Sequence, residues 1–104
     1  MKPTTSPEFE SECQQHLNRF FVQWPNPILQ EKCNKVLKLL RASDKPLLGK
    51  IEGWAAGIIY FTANDGKYPC GVPGVLNAEF AAFMGVPMET ARQRSGRVRD
   101  IVLF

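Results

Sequence analysis

The sequence is short of the residues that most chemistry needs. It has one histidine and three cysteines, and its longest apolar run is the eight residues Trp54 to Phe61. A membrane span needs about 20 apolar residues, so none is expected. Met1 to Glu12 is polar and acid-rich, without the apolar stretch of a signal peptide, so the expectation is a cytoplasmic protein. Cys13, Cys33 and Cys70 are odd in number and widely spaced, unlike a disulfide framework, and read as buried free thiols. Cys13 and His16 have a C-x2-H spacing that could take Cys33 as a third zinc ligand. A second close ligand pair is missing, so no metal site is expected.

Other absences count against an enzyme. The sequence has no H-E-x-x-H and no G-x-S-x-G, and Gly66-Lys67 lacks the rest of a phosphate loop. Cys70 sits in a Gly/Pro-rich loop with only Lys67 as a nearby base, a weak setting for a reactive thiol. Glu79 and Glu89 fall near expected helix starts, where the helix dipole explains them better than acid/base work. The expectation is a non-catalytic protein with no small-molecule cofactor and no metal.

What is present is a globular composition: 104 residues, 44% hydrophobic and 22% charged, with a net charge of +3. That length fits one domain, residues 1–104, with a loose leader over 1–6. The charge is too small to imply a nucleic-acid partner by itself, but its distribution is uneven. Four of the six arginines, Arg92, Arg94, Arg97 and Arg99, lie within eight residues.

Hydrophobic spacing predicts helices. Phe9, Cys13, Leu17, Phe20 and Phe21 form one stripe of a first helix from about Pro7 to Val22, with Ser6 as N-cap. Trp24-Pro25-Asn26-Pro27 stops it. A second helix runs from Pro27 or Ile28 to Ala42, burying Leu29, Cys33, Val36, Leu37 and Leu40. The third, about Lys50 to Ala63, is apolar on nearly every face and reads as central. Its Ile-Ile-Tyr-Phe-Thr end would also suit a buried strand, but alanine content and length favour a helix. Ala55, Ala56 and Gly57 allow a neighbouring backbone to come close. A short helix follows Asn77 as N-cap, Gly85 supplies a left-handed C-cap, and a last helix runs from Pro87 or Met88 to about Leu103. Trp54, Ile58, Phe61, Phe80, Met84, Val98, Leu37 and Leu40 are the expected core.

The last two helices have helix-turn-helix spacing: small Ala81, Gly85 four residues on, then Val86 and Ala91 facing inward. An ordinary helical hairpin uses the same parts. Trp54-Ala-Ala-Gly-Ile-Ile-Tyr, followed after a loop by Phe80-Ala-Ala-Phe-Met-Gly-Val-Pro-Met-Glu-Thr-Ala-Arg-Gln-Arg, resembles an uncharacterised bacterial helical domain family. That family has the pattern W-A-A-x-I-x-Y and, near its end, G-V-S-x-x-T-V. More distantly, the stretch is similar to the cyclin-like repeats of transcription factor IIB. The resemblance covers about residues 28–102. It implies an all-α, five-helix, cyclin-like orthogonal bundle with a central apolar helix and a C-terminal helix-turn-helix. Its last helix would be able to contact DNA. Thr90 matches the family threonine, while Pro87 stands where the pattern has serine and brings no capping oxygen.

At 100° per residue, Ala91, Ser95, Val98 and Val102 of the last helix point inward. Arg92 and Arg99 flank one side, Arg94 and Arg97 the other, and Glu89, Gln93, Gly96 and Asp100 lie outermost. Flanking arginines can reach phosphates, and Gln93 can pair with an adenine edge. Glu89 and Asp100 reduce the charge of this helix to +2. The expected function is a nucleic-acid-binding, transcription-related module using Arg92, Gln93, Arg94, Arg97 and Arg99. The alternative is a protein-interaction module, binding a partner or a second copy, in which the helix-turn-helix is only structural. Ile101-Val102-Leu103-Phe104 either caps the core or docks to another chain.

Overall fold

A computed structural model describes residues 7–43, 45, 47–64 and 71–103. Among these lie five helices: α1 (Pro7–Gln23), α2 (Pro27–Ala42), α3 (Ile51–Ala63), α4 (Asn77–Met84) and α5 (Met88–Leu103). The architecture is an all-α five-helix bundle. The leader 1–6 with Ser6, the loop that carries Gly66, Lys67 and Cys70, and Phe104 lie outside the described residues.

The two prolines that separate α1 from α2 act through different residues. Trp24 still donates its N–H to the Phe20 carbonyl at 2.9 Å, so α1 closes one residue later than its stripe suggested. Pro25 has no N–H to continue the ladder. Asn26 then starts α2: its Oδ1 accepts the Leu29 N–H at 3.1 Å, with Pro27 in the first turn. The sequence had offered Asn26 only as part of the break. Gln14 donates to Asn34 at 2.9 Å, and Arg41 lies 3.8 Å from Glu10. Position rises on α1 as it falls on α2, so the two helices are antiparallel.

Their apolar stripes, Phe9-Cys13-Leu17-Phe20-Phe21 and Leu29-Cys33-Leu37-Leu40, are buried, with Val36 partly covered. α3 lies against both and also touches α4 and α5, most extensively α5. Gly53 through Thr62 are all buried, as an all-round apolar helix requires. The polar groups of this core are satisfied locally. Thr62 donates to the Ile58 carbonyl at 2.6 Å, and the Trp54 indole N–H donates to the Leu48 carbonyl at 3.0 Å. Phe20 links the elements: its ring centroid lies 5.0 Å from Trp24 and 5.6 Å from Phe80, and Phe80 in turn lies 6.1 Å from Tyr60. All eight residues expected in the core are buried.

The start of α4 differs from expectation. Asn77 is its first residue rather than its N-cap, and Leu76 occupies the cap position. Leucine has no side-chain acceptor, so only half of a capping box forms: Leu76 N–H donates to Glu79 Oε1 at 3.2 Å. The segment before it is pinned from inside. Val72 and Val75 are buried around a turn closed by Val75 N–H on the Val72 carbonyl at 3.1 Å. That anchoring fixes where the helix can begin. Gly85 ends α4 at φ +74°, and the N–H groups of Gly85 and Val86 both reach the Ala81 carbonyl. A side chain at Gly85 would be strained in that left-handed conformation.

Cys13 and Cys33 are free and buried. Burial pushes both thiols up to about 12. The nearby Cys33 adds to the rise at Cys13, and a hydrogen bond with Thr62 partly offsets the rise at Cys33. Neither is a nucleophile at neutral pH. The folded values lie above the ordinary thiol value of 9.0, so the unfolded chain loses these protons first as pH rises. The stability these thiols contribute is therefore full below about pH 9 and declines between about 9 and 12, by up to about 1.4 kcal/mol per pH unit for each thiol. Urea denaturation at pH 8 and pH 10 should show the decline, and the Cys13→Ala/Cys33→Ala chain should lose that part of it. An unchanged decline in the double variant assigns the alkaline effect to other groups.

Candidate nucleic-acid interface

α5 is held by what α3 lacks. Gly57 leaves a gap into which the backbone of α5 settles. A Cβ at Gly57 would stand 2.8 Å from the Arg94 carbonyl carbon and 3.0 Å from the Ser95 amide nitrogen. Ala91, Ser95 and Val98 are accordingly buried, and Val102 and Ile101 are partly buried against the core. Of the C-terminal apolar segment, Ile101 and Val102 thus pack inward. The inward and outward faces of α5 are those its periodicity indicated.

This close packing separates Arg94 from the other arginines. Its side chain lies along α3 over Gly53 and Gly57, and its Nη1 donates to the Lys50 carbonyl at 3.3 Å. The guanidinium carbon is 5.2 Å from the centre of the Trp54 ring, a cation–π distance. Burial, and then Arg97, push the Arg94 pKa below its ordinary value. Arginine stays charged regardless, so Arg94 is a cation held partly out of water.

Arg92, Gln93, Arg97 and Arg99 are exposed. Arg99 lies 3.5 Å from its neighbour Asp100, with both side chains about half exposed, a pair of little energetic weight. Among the described residues, no acidic group pairs with Arg92 or Arg97. Seen down α5, Arg92 and Arg99 form one flank and Arg97 the other, with Glu89, Gln93, Gly96 and Asp100 between them. Of the five residues singled out by sequence, four share an open surface and Arg94 turns toward α3. The sequence carried a signal for that turn: Gly49, Gly53 and Gly57 recur every four residues, a smooth track that a long side chain can fill.

Gly96 sits mid-helix with nothing within 4 Å of where a Cβ would be. Among the described residues no packing requires a glycine there, although glycine costs about 1 kcal/mol relative to alanine. Among the described residues no group of three or more His, Cys, Asp or Glu side chains could hold a metal ion. Among the described residues, no helix is long and apolar enough to cross a membrane. Compared with protein-family models, with curated proteins and with solved structures, the chain matches none.

Proposed function

We propose that the protein is a non-catalytic nucleic-acid-binding module of cyclin-like, helix-turn-helix type, working in transcription in the cytoplasm. α4 and the Gly85 turn support α5, and α5 presents the contacts. The observation that carries the reading is the open face of α5: Arg92 and Arg97 flank Gln93 without acidic partners among the described residues. Charged side chains on two flanks fit the two phosphate backbones that border a groove, with Gln93 between them for a base edge. Bare Gly96 at the centre of that face permits a close backbone approach.

A duplex-binding titration tests the reading. Arg92→Ala and Arg97→Ala should each weaken binding and lower the log–log salt slope by about 0.9. Val22→Ala, on the exposed side of α1, should change neither quantity. Equal affinities for all these chains would assign any binding to another surface.

A second reading, a protein-interaction module, draws on exposed apolar side chains. Val22, Ile28 and Leu76 are 81%, 71% and 71% exposed. Light scattering separates a self-associating chain from a monomer, and a partner that survives nuclease and high salt favours this reading over the first.

A further inference from the structure

Whereas the lysines beside another hollow, Lys32 and Lys35, both belong to α2, one cleft gathers cations from two separate helices. It has a volume of about 270 Å³ and lies where the first turns of α3 and α5 meet, lined by Lys50, Gly53, Val86, Thr90 and Arg94. No acidic side chain lines it among the described residues. A water occupies about 30 Å³ in the liquid, so there is room for a hydrated tetrahedral anion.

Three features make the cleft electropositive. Lys50 and Arg94 bring two positive charges from different helices, and Arg94 has no acidic partner among the described residues. Arg94 is also fixed in place by the Lys50 carbonyl and the Trp54 ring, so little side-chain freedom remains to be lost on binding. Finally, both helices start without a side-chain acceptor. α3 begins after Lys50, which forms no side-chain cap, and α5 begins after Pro87, whose carbonyl takes the Ala91 N–H but whose ring offers no oxygen. The positive ends of two helix dipoles therefore add to the two side-chain charges. Thr90, half-buried in the first turn of α5, supplies a hydroxyl.

We propose that this cleft binds a single phosphate group, with Lys50 and Arg94 supplying charge and Thr90 a hydrogen bond. The proposal deepens the nucleic-acid reading and rests on it for the source of the phosphate, a phosphodiester of a strand lying along α5. Arg94 then acts beside its flanking neighbours after all, through the cleft rather than from the helix flank.

The first arm of the test uses inorganic phosphate, with no nucleic acid present. Sodium phosphate is titrated into the full chain at constant ionic strength, balanced with sodium chloride, and amide resonances are followed. Saturable shifts should centre on Gly53 and Thr90. Lys50→Ala and Thr90→Val should each weaken binding about tenfold. Both variants spare the core, and Arg94 is left in place because it also packs on α3. The second arm repeats the duplex titration with Lys50→Ala, which should lower the salt slope by about 0.9. Shifts that do not saturate, or that spread evenly over Arg92, Arg97 and Arg99, overturn the cleft whatever the duplex result. Saturable phosphate binding without duplex binding keeps the cleft as a site for free phosphate and removes the nucleic-acid reading. Duplex binding that Lys50→Ala leaves unchanged, without phosphate shifts, overturns the cleft and leaves that reading standing.

Discussion

Replacing Trp54 by alanine is expected to remove about 3–5 kcal/mol of stability. The indole is 1% exposed and is the largest fully buried side chain. Its loss leaves a cavity on the central helix that neighbouring side chains fill only in part. It also leaves the Leu48 carbonyl without its indole donor and takes away the ring over which Arg94 lies. Domains of this size are stable by only about 5–15 kcal/mol, so the variant should be marginal at room temperature. Equilibrium urea unfolding followed by far-UV circular dichroism measures the loss. Trp54→Phe, which keeps most of the volume but not the N–H, should fall between. A loss below about 1 kcal/mol for the alanine variant would mean that the site collapses around the smaller residue and that α3 is not the packing centre.

Gly57→Val should be comparably damaging for the opposite reason, excess rather than missing volume. A Cβ at this position stands 2.6 Å from Arg94 Cβ and 2.8 Å from the Arg94 carbonyl carbon. The second of these is backbone and cannot rotate aside, so α5 has to move away from α3. Even modest overpacking costs about 1–3 kcal/mol, and the two extra methyl groups of valine should take the loss to about 3 kcal/mol or more. Gly96→Ala is the control. It gains about 1 kcal/mol of helix propensity, more than β-branched valine gains at Gly57, and its Cβ meets nothing within 4 Å among the described residues. The two glycine variants should therefore shift the thermal midpoint in opposite directions. A stabilised Gly57→Val would place the close approach of α3 and α5 elsewhere.

These substitutions mark where the sequence was readable. Element bounds were legible because they follow from local signals: stripes of period 3.6, prolines that break the ladder, and a glycine that tolerates a positive φ. α2, for instance, starts at Pro27 and ends at Ala42 as its stripe and flanking residues indicate. The start of α4 was misread at Asn77 because a side-chain oxygen is a common cap but not an obligatory one. There the buried pair Val72 and Val75 fixes the chain, a tertiary constraint that cap preference does not contain. Arg94 shows the same limit at the candidate site. A helical wheel put it on the edge of the exposed face beside Arg97. Its actual direction is set by glycines on α3 some 40 residues earlier in the chain, which no reading of α5 alone includes. The cleft was missed for that reason too, since Lys50 and Thr90 meet only once α3 and α5 are packed.

The salt dependence of duplex binding tests the proposed role of α5 most directly. Affinity for a labelled duplex of mixed sequence would be measured by fluorescence anisotropy between about 50 and 200 mM salt. Phosphate contacts by Arg92, Arg97 and Arg99 give a log–log slope of about −2.7, and each further cation from the cleft steepens it by about 0.9. In Arg92→Ala/Arg97→Ala the slope should fall to about −0.9 for the remaining exposed arginine if the cleft is not engaged, with the fold unchanged by circular dichroism. No detectable binding at the lowest salt, or a slope that the double variant leaves untouched, contradicts a nucleic-acid interface on α5.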